Sequence, residues 1–438
     1  MPAPAEKPDR IRILGGRVID PAGGIDAVHD VFIAAGRIAG VGNAPDGFSS
    51  ELDIDADGCI VCPGLVDISA RVREPGQENK ATIASESLAA ASGGITTICC
   101  PPDTTPVIDT PAVTELIRLR AEITGLTRIV TLGALTRNLA GEQLSEMAAL
   151  RRAGCVGVSN AVRPLANPLV LRRAMEYAAT FDLTVFLHAD DHWLSNGGCA
   201  HEGRVATRMG LPGIPEAAET AAVARDLALI QQTGVRAHFC HLTSERAARM
   251  VARAQYDGLP VSADVAMPYL YLSEVDISDF NSQCHLIPPL RTVEDRQGLR
   301  DALRRGTLSA ISSDHQPHEP DAKLGPFPAT EPGISGLDTL LPLALQLARD
   351  EVLPLTDLLH RLTRGPAEIL GLPGGTLSAG ATADICIFDP DHTWMLDSAS
   401  MRSNGHNTPF MGWEMKGRTM HTLLEGRLVY SFEDQLPR

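Results

Sequence analysis

The chain has 438 residues, of which 44% are hydrophobic, and a formal net charge of −16. This length and composition are typical of a well-buried globular protein with one large core and a smaller satellite domain. The negative charge argues against nucleic acid and anionic membranes as partners, because both are bound through clustered lysine and arginine.

The first part of the chain, residues 1–62, has the pattern of a small β-domain. Short strand-like runs alternate with turn signals, as in Ile11–Leu14, Arg17–Ile19, Asp30–Ala34 and Arg37–Val41. The start of the chain is charged and proline-rich, and the longest apolar stretches of the protein fall short of a bilayer span. We therefore expect a cytoplasmic protein.

The cysteines give a further expectation about compartment. There are nine, an odd number, at irregular spacing. In a chain of this size that pattern indicates reduced, mostly buried thiols rather than a disulfide framework. Cys59 and Cys62 lie in a short apolar run that ends at Pro63, without the second ligand pair that a zinc site requires, so we interpret them as structural.

Residues 63–372 alternate apolar strand candidates with amphipathic helix candidates, which is typical of βα units around a parallel sheet. Eight strands are predicted, enough for a TIM-like barrel: Leu65–Ile68, Thr96–Cys99, Arg128–Leu132, Val156–Ser159, Thr184–Ala189, Arg236–Leu242, Pro260–Ala266 and Leu308–Ser313. Helices are expected between Pro215 and Gly234 and over Glu245–Tyr256 and Val293–Arg305. Chemistry belongs at the carboxyl ends of the strands, where the loops leave side chains open to solvent.

The last part of the chain, residues 373–438, returns to strand signals. After the Gly374–Gly375 turn these are Ala383–Phe388 and Thr419–Tyr430. We expect both chain ends to form one β-sandwich. The predicted fold is therefore α/β, a (β/α)8 barrel over residues 63–372 with a small β-sandwich domain.

A series of motifs carries a family resemblance. In chain order they are Pro63–Asp67, Arg73–Gly76, His188–Asp191, Pro288–Arg291, Asp314–His318, Gly333–Thr339 and Asn407–Phe410. With these motifs in this order, the chain resembles a type I dihydroorotase of the amidohydrolase superfamily over nearly its whole length.

The resemblance implies a zinc site. Members of the family bind zinc through a His-x-His on the first barrel strand, a mid-barrel carboxylate, two later histidines and a final aspartate. His188 and His241 match the two later histidines, and Asp314 matches the aspartate that exchanges protons with the attacking water.

The remaining ligand positions have changed. Ser69 and Arg71 replace the first histidine pair, and Asn160 and Ala161 stand where the family has two aspartates. Arginine offers no lone pair to a metal, and without the mid-barrel carboxylate nothing bridges two ions. We therefore expect Asp314 to be non-functional as a catalytic residue.

The substrate contacts implied by the resemblance are partly retained. Arg73 and His318 match groups that hold the substrate carboxylate. Asp103 replaces an asparagine that binds the same carboxylate, and it would repel that anion. Ile287 replaces a second asparagine, and Ala266–Leu270 replaces a polar Thr-Pro-His-His-Leu segment. Losing several hydrogen bonds of this kind should abolish specificity for dihydroorotate.

Two side chains near the site carry their own hypotheses. The guanidinium of Arg71 either occupies part of the volume of the missing metal and pairs with Asp314, or turns outward as an exposed charge. His238 precedes His241 by three residues, and strand alternation predicts that the two point to opposite faces.

Two functions follow from the resemblance. The first is that of the non-catalytic dihydroorotase-like homologues that accompany bacterial aspartate transcarbamoylase, a structural or assembly subunit in pyrimidine biosynthesis. The second is a mononuclear-metal hydrolase of a cyclic amide or ureide, of the dihydroorotase, dihydropyrimidinase or allantoinase type.

The two functions differ in cofactor. The first has none, whereas the second has one zinc at His188, His241 and Asp314. The partner implied by the resemblance is the catalytic subunit of aspartate transcarbamoylase, and we also expect a homo-oligomer.

Overall fold

Seven short strands open the structure. The computed structural model describes residues 8–432. These strands are β1 (Arg10–Leu14), β2 (Arg17–Asp20), β3 (Ile25–Val28), β4 (Val31–Ala34), β5 (Arg37–Val41), β6 (Leu52–Asp55) and β7 (Ile60–Pro63). The sequence patterns predicted β1, β2, β4 and β5, whereas β3 and β6, which are short and partly exposed, were not predicted.

The middle of the chain alternates strands and helices. In order, the elements are β8 (Leu65–Asp67), α1 (Ile83–Ser92), β9 (Ile95–Cys100), α2 (Pro111–Thr124), β10 (Arg128–Ala134), α3 (Met147–Ala153), β11 (Gly157–Ser159), α4 (Pro168–Thr180), β12 (Thr184–His188), α5 (His192–Ser195), β13 (Ala200–His201), α6 (Arg204–Met209), β14 (Gly213–Ile214), α7 (Glu216–Thr233), β15 (Ala237–Cys240), α8 (Glu245–Tyr256), β16 (Val261–Ala266), α9 (Val293–Arg304), β17 (Ala310–Ser312), α10 (Leu340–Arg349), α11 (Leu355–Leu362) and α12 (Arg364–Ile369).

Eight of these strands form one parallel sheet in the order β17-β16-β15-β12-β11-β10-β9-β8. Its two edges meet where Ala70 and His315 form a parallel bridge. Around that bridge the amide of Arg71 donates to the carbonyl of His315 at 2.9 Å. The sheet therefore closes as a barrel at the point where the first and last strands present their ligand positions, and the predicted α/β barrel is confirmed.

The helix boundaries follow from local chemistry. Pro215 precedes α7, and Gly234 ends it in the left-handed region at φ 67°, which glycine adopts without a steric penalty. Ser244 caps α8, because its side chain accepts a hydrogen bond from the amide of Ala247. Thr292 caps α9 in the same way. The predicted positions of these three helices are confirmed.

Three C-terminal strands complete the structure: β18 (Ile385–Met395), β19 (Glu414–Leu424) and β20 (Arg427–Ser431). The strand signal over Thr419–Tyr430 proves to be a hairpin, because Glu425 and Gly426 both have positive φ, as a tight turn between antiparallel strands requires.

Strands from both ends of the chain share a sheet in the order β20-β19-β18-β7-β2-β3, next to a second sheet in the order β5-β4-β1-β6. One hydrophobic cluster joins them, with Ile13 and Val31 from one end and Ile385 and Leu423 from the other. Within residues 8–432, no helix has both the length and the hydropathy needed to cross a bilayer.

Candidate functional site

Arg71 occupies the centre of the site at the carboxyl ends of the barrel strands. Its Nε donates to Asp103 Oδ2 at 2.9 Å, and its Nη1 donates to Asp314 Oδ1 at 3.1 Å. The side chain is buried. The predicted pairing with Asp314 is therefore present, and the alternative in which Arg71 turns outward is wrong.

Two carboxylates surround the single guanidinium of Arg71. Burial alone would lower the pKa of Arg71, but the carboxylates of Asp103 and Asp314 outweigh it and hold that pKa above its ordinary value. Arg71 is thus a fixed cation. Asp103, which we expect to repel an anionic substrate, forms a hydrogen-bonded ion pair with Arg71, the other replacement.

Asp314 has both carboxylate oxygens in use. Oδ1 accepts from Arg71, and Oδ2 accepts from Gln316 Nε2 at 3.0 Å. Its backbone is in the left-handed region, at φ 43°, which is uncommon for a residue with a side chain. The carboxylate is therefore held by two donors of the same chain, in an orientation that the barrel rim imposes.

His241 is likewise surrounded by partners. Nε2 lies 3.2 Å from Ser69 Oγ, and Nδ1 lies 3.2 Å from Asp264 Oδ2. Burial lowers the pKa of His241, but the charges of Asp264 and Asp314 raise it further, to about 9. The imidazole is therefore protonated at neutral pH, and it would have to release that proton before a nitrogen could bind a metal.

Asp264, which the sequence patterns did not single out, organises this part of the site. It accepts from the His241 amide at 2.7 Å and from Ser312 Oγ at 2.6 Å, and His238 Nε2 lies 3.3 Å away. Burial raises the pKa of Asp264, but the charge of His241 and these hydrogen bonds hold it well below its usual range. The signal that could have found it is a carboxylate inside the otherwise apolar end of β16.

The prediction that His238 and His241 point to opposite faces is wrong, because both contact Asp264. β15 ends at Cys240, and His241 has φ 52°, so the alternation of a strand does not extend to it.

His188, the last residue of β12, behaves differently. Its Nε2 is buried and has no hydrogen-bond partner among residues 8–432. Burial, with the positive charge of His241, lowers the pKa of His188 to about 4. This imidazole is therefore neutral, with one unpaired nitrogen.

Asn160, at the mid-barrel ligand position, forms hydrogen bonds to neighbouring loop residues. Asn160 Oδ1 accepts from Thr136 Oγ1 at 2.7 Å, and its Nδ2 donates to the carbonyl of Arg163 at 2.9 Å. Ala161 belongs to a small apolar cluster with Leu139. Ala161 has no side-chain oxygen to bind a metal, and the side-chain oxygen of Asn160 already accepts a hydrogen bond.

The retained substrate positions lie side by side. Arg73 Nη2 is 3.1 Å from His318 Nε2, and Lys80 Nζ is 3.2 Å from His318 Nδ1. Burial and the charge of Arg71 lower the pKa of Arg73 to about 10. Burial and its two cationic neighbours lower the pKa of His318 to about 2. The structure thus brings Arg73 and His318 together as a cationic pocket wall around a neutral histidine.

The altered substrate positions are packed. The replaced segment turns through Met267–Leu270, which is fully buried, and Tyr269 Oη donates to the carbonyl of Pro288 at 2.6 Å. Ile287, just before Pro288, is half-buried. Apolar packing has replaced the polar contacts, as expected.

These side chains do not fit the zinc site that the family resemblance implies. A guanidinium stands at one ligand position, a protonated imidazole at another, and Asn160 is committed to a loop. Among residues 8–432, one trio has all its candidate ligand atoms within 4.8 Å of one another, and it is His238, Cys240 and Asp264, a set without His188 or Asp314. Asp264 in that trio already supports His241.

Comparison with known proteins agrees with this architecture. Residues 58–247 match the Dihydro-orotase-like family, and residues 323–430 match the Amidohydrolase family. The chain is 51% identical to a dihydroorotase-like protein of Pseudomonas putida, over 97% of this chain and 100% of that protein.

It is also 52% identical to a dihydroorotase-like protein of Pseudomonas aeruginosa, over 96% of this chain and 99% of that protein. The chain is 43% identical to a dihydroorotase of Syntrophotalea carbinolica, over 97% of this chain and 100% of that protein. Among solved structures, an L-hydantoinase (dihydropyrimidinase) from Arthrobacter aurescens superposes with a TM-score of 0.85 at 23% identity, over 96% of each chain, which establishes the shared fold.

Proposed function

The chain belongs to the dihydroorotase-like family of amidohydrolases, and from this premise we propose that it has lost dihydroorotase catalysis and serves as a structural subunit in pyrimidine biosynthesis. The proposed partner is the catalytic subunit of aspartate transcarbamoylase, as the resemblance to non-catalytic homologues implies. The barrel would stabilise that enzyme through buried interface area instead of turning over a substrate.

One observation carries the loss of catalysis: the guanidinium of Arg71 is bound to both Asp103 and Asp314. A hydrolase of this superfamily needs a metal to generate its nucleophile and a carboxylate free to accept a proton. Both carboxylate oxygens of Asp314 accept hydrogen bonds from side chains of the protein, Oδ1 from Arg71 and Oδ2 from Gln316. Asp314 therefore has a guanidinium beside it, at a position where the family has a metal ligand, and neither of its oxygens is without a donor.

The structural role is supported by what is retained. The barrel is closed, both chain ends are assembled in one module, and the similarity to relatives spans the whole chain. Arg71, Asp103 and Asn160, at altered positions, form hydrogen bonds within the chain. Such a chain keeps a defined surface that can bind a partner without catalysis.

Complementation tests the loss of catalysis. We expect no growth when this gene is expressed in a dihydroorotase-deficient bacterial strain without pyrimidines. The dihydroorotase of Syntrophotalea carbinolica, which is 43% identical, serves as the positive control in the same vector. Growth supported by this chain at comparable expression would contradict the proposal.

Co-purification tests the structural role separately. We expect the protein and the aspartate transcarbamoylase of the same host to elute together on size exclusion, and the transcarbamoylase to inactivate at a lower temperature when this chain is deleted. Separate elution with unchanged thermal stability would overturn the partner while leaving the loss of catalysis standing.

The unpaired Nε2 of His188 favours a second candidate, the mononuclear hydrolase of a cyclic amide or ureide. In that function His188, His241 and Asp314 would hold one zinc, which requires His241 to lose its proton and Arg71 to leave Asp314. Zinc analysis of the purified chain separates the candidates, since one equivalent per chain with hydrolysis of dihydrouracil or allantoin supports the hydrolase.

A further inference from the structure

Helix α2 carries an apolar stripe on its solvent-exposed side. The stripe consists of Ala112, Leu116, Leu119 and Ile123, which are spaced by four, three and four residues. Leu116, Leu119 and Ile123 are 37%, 50% and 84% exposed. This spacing is that of alternating a and d positions in a coiled coil, the pattern with which one helix packs along another.

The stripe is not the face of α2 that packs against the barrel. α2 packs against its own domain through a different face, on which Val113, Ile117 and Ala121 are buried. Solvent-exposed faces of surface helices are ordinarily polar, and three large aliphatic side chains in a row depart from that rule.

The charged residues that flank the stripe indicate which helix could pack against it. Glu115 flanks it on one side at a g position, and Arg120 flanks it on the other side at an e position. In a parallel helix pair, a g residue faces the e residue five positions further along on the second helix. Glu115 would then face Arg120 of a second copy, twice per pair. An antiparallel pair would place Arg120 against Arg120, so the pattern favours the parallel arrangement.

We propose that two copies of this chain associate through α2, with the stripes packed in parallel about a two-fold axis along the helix. Such an interface is isologous, because the same face serves both copies. Arg120 also pairs with Glu74 of its own chain, and a guanidinium has enough donors to serve both carboxylates.

Two further exposed leucines lie on α1 and on β20. Leu88 on α1 is 36% exposed and Leu428 on β20 is 38% exposed. Helix α1 contacts both α2 and β20. This inference is independent of whether the barrel retains catalysis.

Sedimentation velocity of the full chain tests the dimer. We expect the wild-type protein to sediment as a dimer, or as a larger assembly built on it, and Leu119→Glu to shift it to half the mass. The matched control is Tyr256→Glu, which alters a residue that is 83% exposed at the end of α8 and should change nothing. A monomeric wild type, or a Leu119→Glu protein with unchanged mass, would overturn the proposal.

Charge exchange and cross-linking test the parallel orientation. Glu115→Arg should raise the dissociation constant at least about tenfold through Arg–Arg repulsion, and the added Arg120→Glu should restore it. Leu119→Cys should form a disulfide-linked dimer under mild oxidation, because a d residue faces its own symmetry mate. Arg118→Cys, one residue away and 52% exposed, should not. Efficient cross-linking of both variants, or of neither, would refute the arrangement.

Discussion

The two halves of the barrel rim differ in how their polar side chains are satisfied. Around β12 and β15 the family histidines remain, and His188 keeps one buried nitrogen without a partner among the described residues. Around β8 and β11 the ligands have been replaced, and there the polar groups of Arg71 and Asn160 have partners within the chain.

This difference teaches that in the replaced half the buried polar groups of Arg71 and Asn160 are satisfied within the chain. Random loss of ligands would leave buried charges unpaired, at a cost of several kcal/mol for each isolated charge. Instead, Arg71 is a cation held between the carboxylates of Asp103 and Asp314. The half that contains His188 and His241 keeps histidines at motif positions, and the half that contains Arg71 and Asn160 has a hydrogen-bonded network of its own.

The largest effect is expected from removing the cation. Arg71→Met leaves Asp314 and Asp103 without their partner, and breaking a buried ion pair on one side costs about 3 to 5 kcal/mol. Urea unfolding measures this loss. The matched control is Arg17→Met, whose ion pair with Asp26 is exposed, with side chains 50% and 39% accessible, and whose loss should be small. Equal losses in the two variants would mean that the Arg71 network contributes nothing special.

Restoring the family carboxylate should be harmful. In Asn160→Asp the new carboxylate replaces an amide that donates to the carbonyl of Arg163. Two acceptors would then face each other, and we expect a loss of about 2 to 3 kcal/mol in the free energy of unfolding. Asn167→Asp is the control, since Asn167 uses only its oxygen as a helix cap. A neutral or stabilising Asn160→Asp would show that the loop role assigned to Asn160 is wrong.

The retained half predicts a pH dependence. The pKa of His241 is raised to about 9 in the folded protein, from 6.5. Its contribution is therefore fully present below about pH 6.5 and is lost as the pH rises through 9, on the order of 2 kcal/mol. We expect the unfolding free energy to fall more between these two pH values in the wild type than in His241→Gln.

Subtracting the pH dependence of His241→Gln from that of the wild type cancels the contributions of other groups that titrate in this range. Lys323, for example, titrates in the same window with a pKa lowered to about 8 by burial. Parallel pH profiles for wild type and His241→Gln would show that His241 is not held protonated by Asp264 and Asp314.

The smallest effect is expected at the edge of the network. Asp103→Asn keeps a hydrogen-bond acceptor for Arg71 Nε and leaves Asp314 as the remaining counter-charge. Because the Asp103 side chain is 20% exposed, we expect a loss of only about 1 kcal/mol. Urea unfolding of Asp103→Asn and Arg71→Met under the same conditions compares their losses of unfolding free energy. An equal loss in the two variants would show that Asp103 contributes more to the network than we expect.

Much of the fold could be predicted from the sequence. Alternating apolar runs and helix caps placed all eight barrel strands and three of the helices, because these signals are local. The motif positions of His188, His241 and Asp314 were found by resemblance. The link between Arg71 and Asp314 could be proposed, because one new cation and one retained anion were expected at the same rim.

The rest depended on distances across the barrel. Asp264 lies on β16, and only the neighbouring position of β15 brings it to His241. The positive φ of His241 removed the strand alternation on which the prediction for His238 rested. The sequence alone allowed the Asn160 side chain to face the site or the loop. Its orientation is fixed by hydrogen bonds to Thr136 and Arg163, which form only in the folded chain.

The most direct test of the central claim is a crystal structure of the protein grown with excess zinc, measured at the zinc absorption edge. We predict no anomalous peak at the carboxyl ends of the barrel strands, and Arg71 Nη1 within hydrogen-bond distance of Asp314. A peak bound by His188, His241 and Asp314, with Arg71 displaced, would contradict the account.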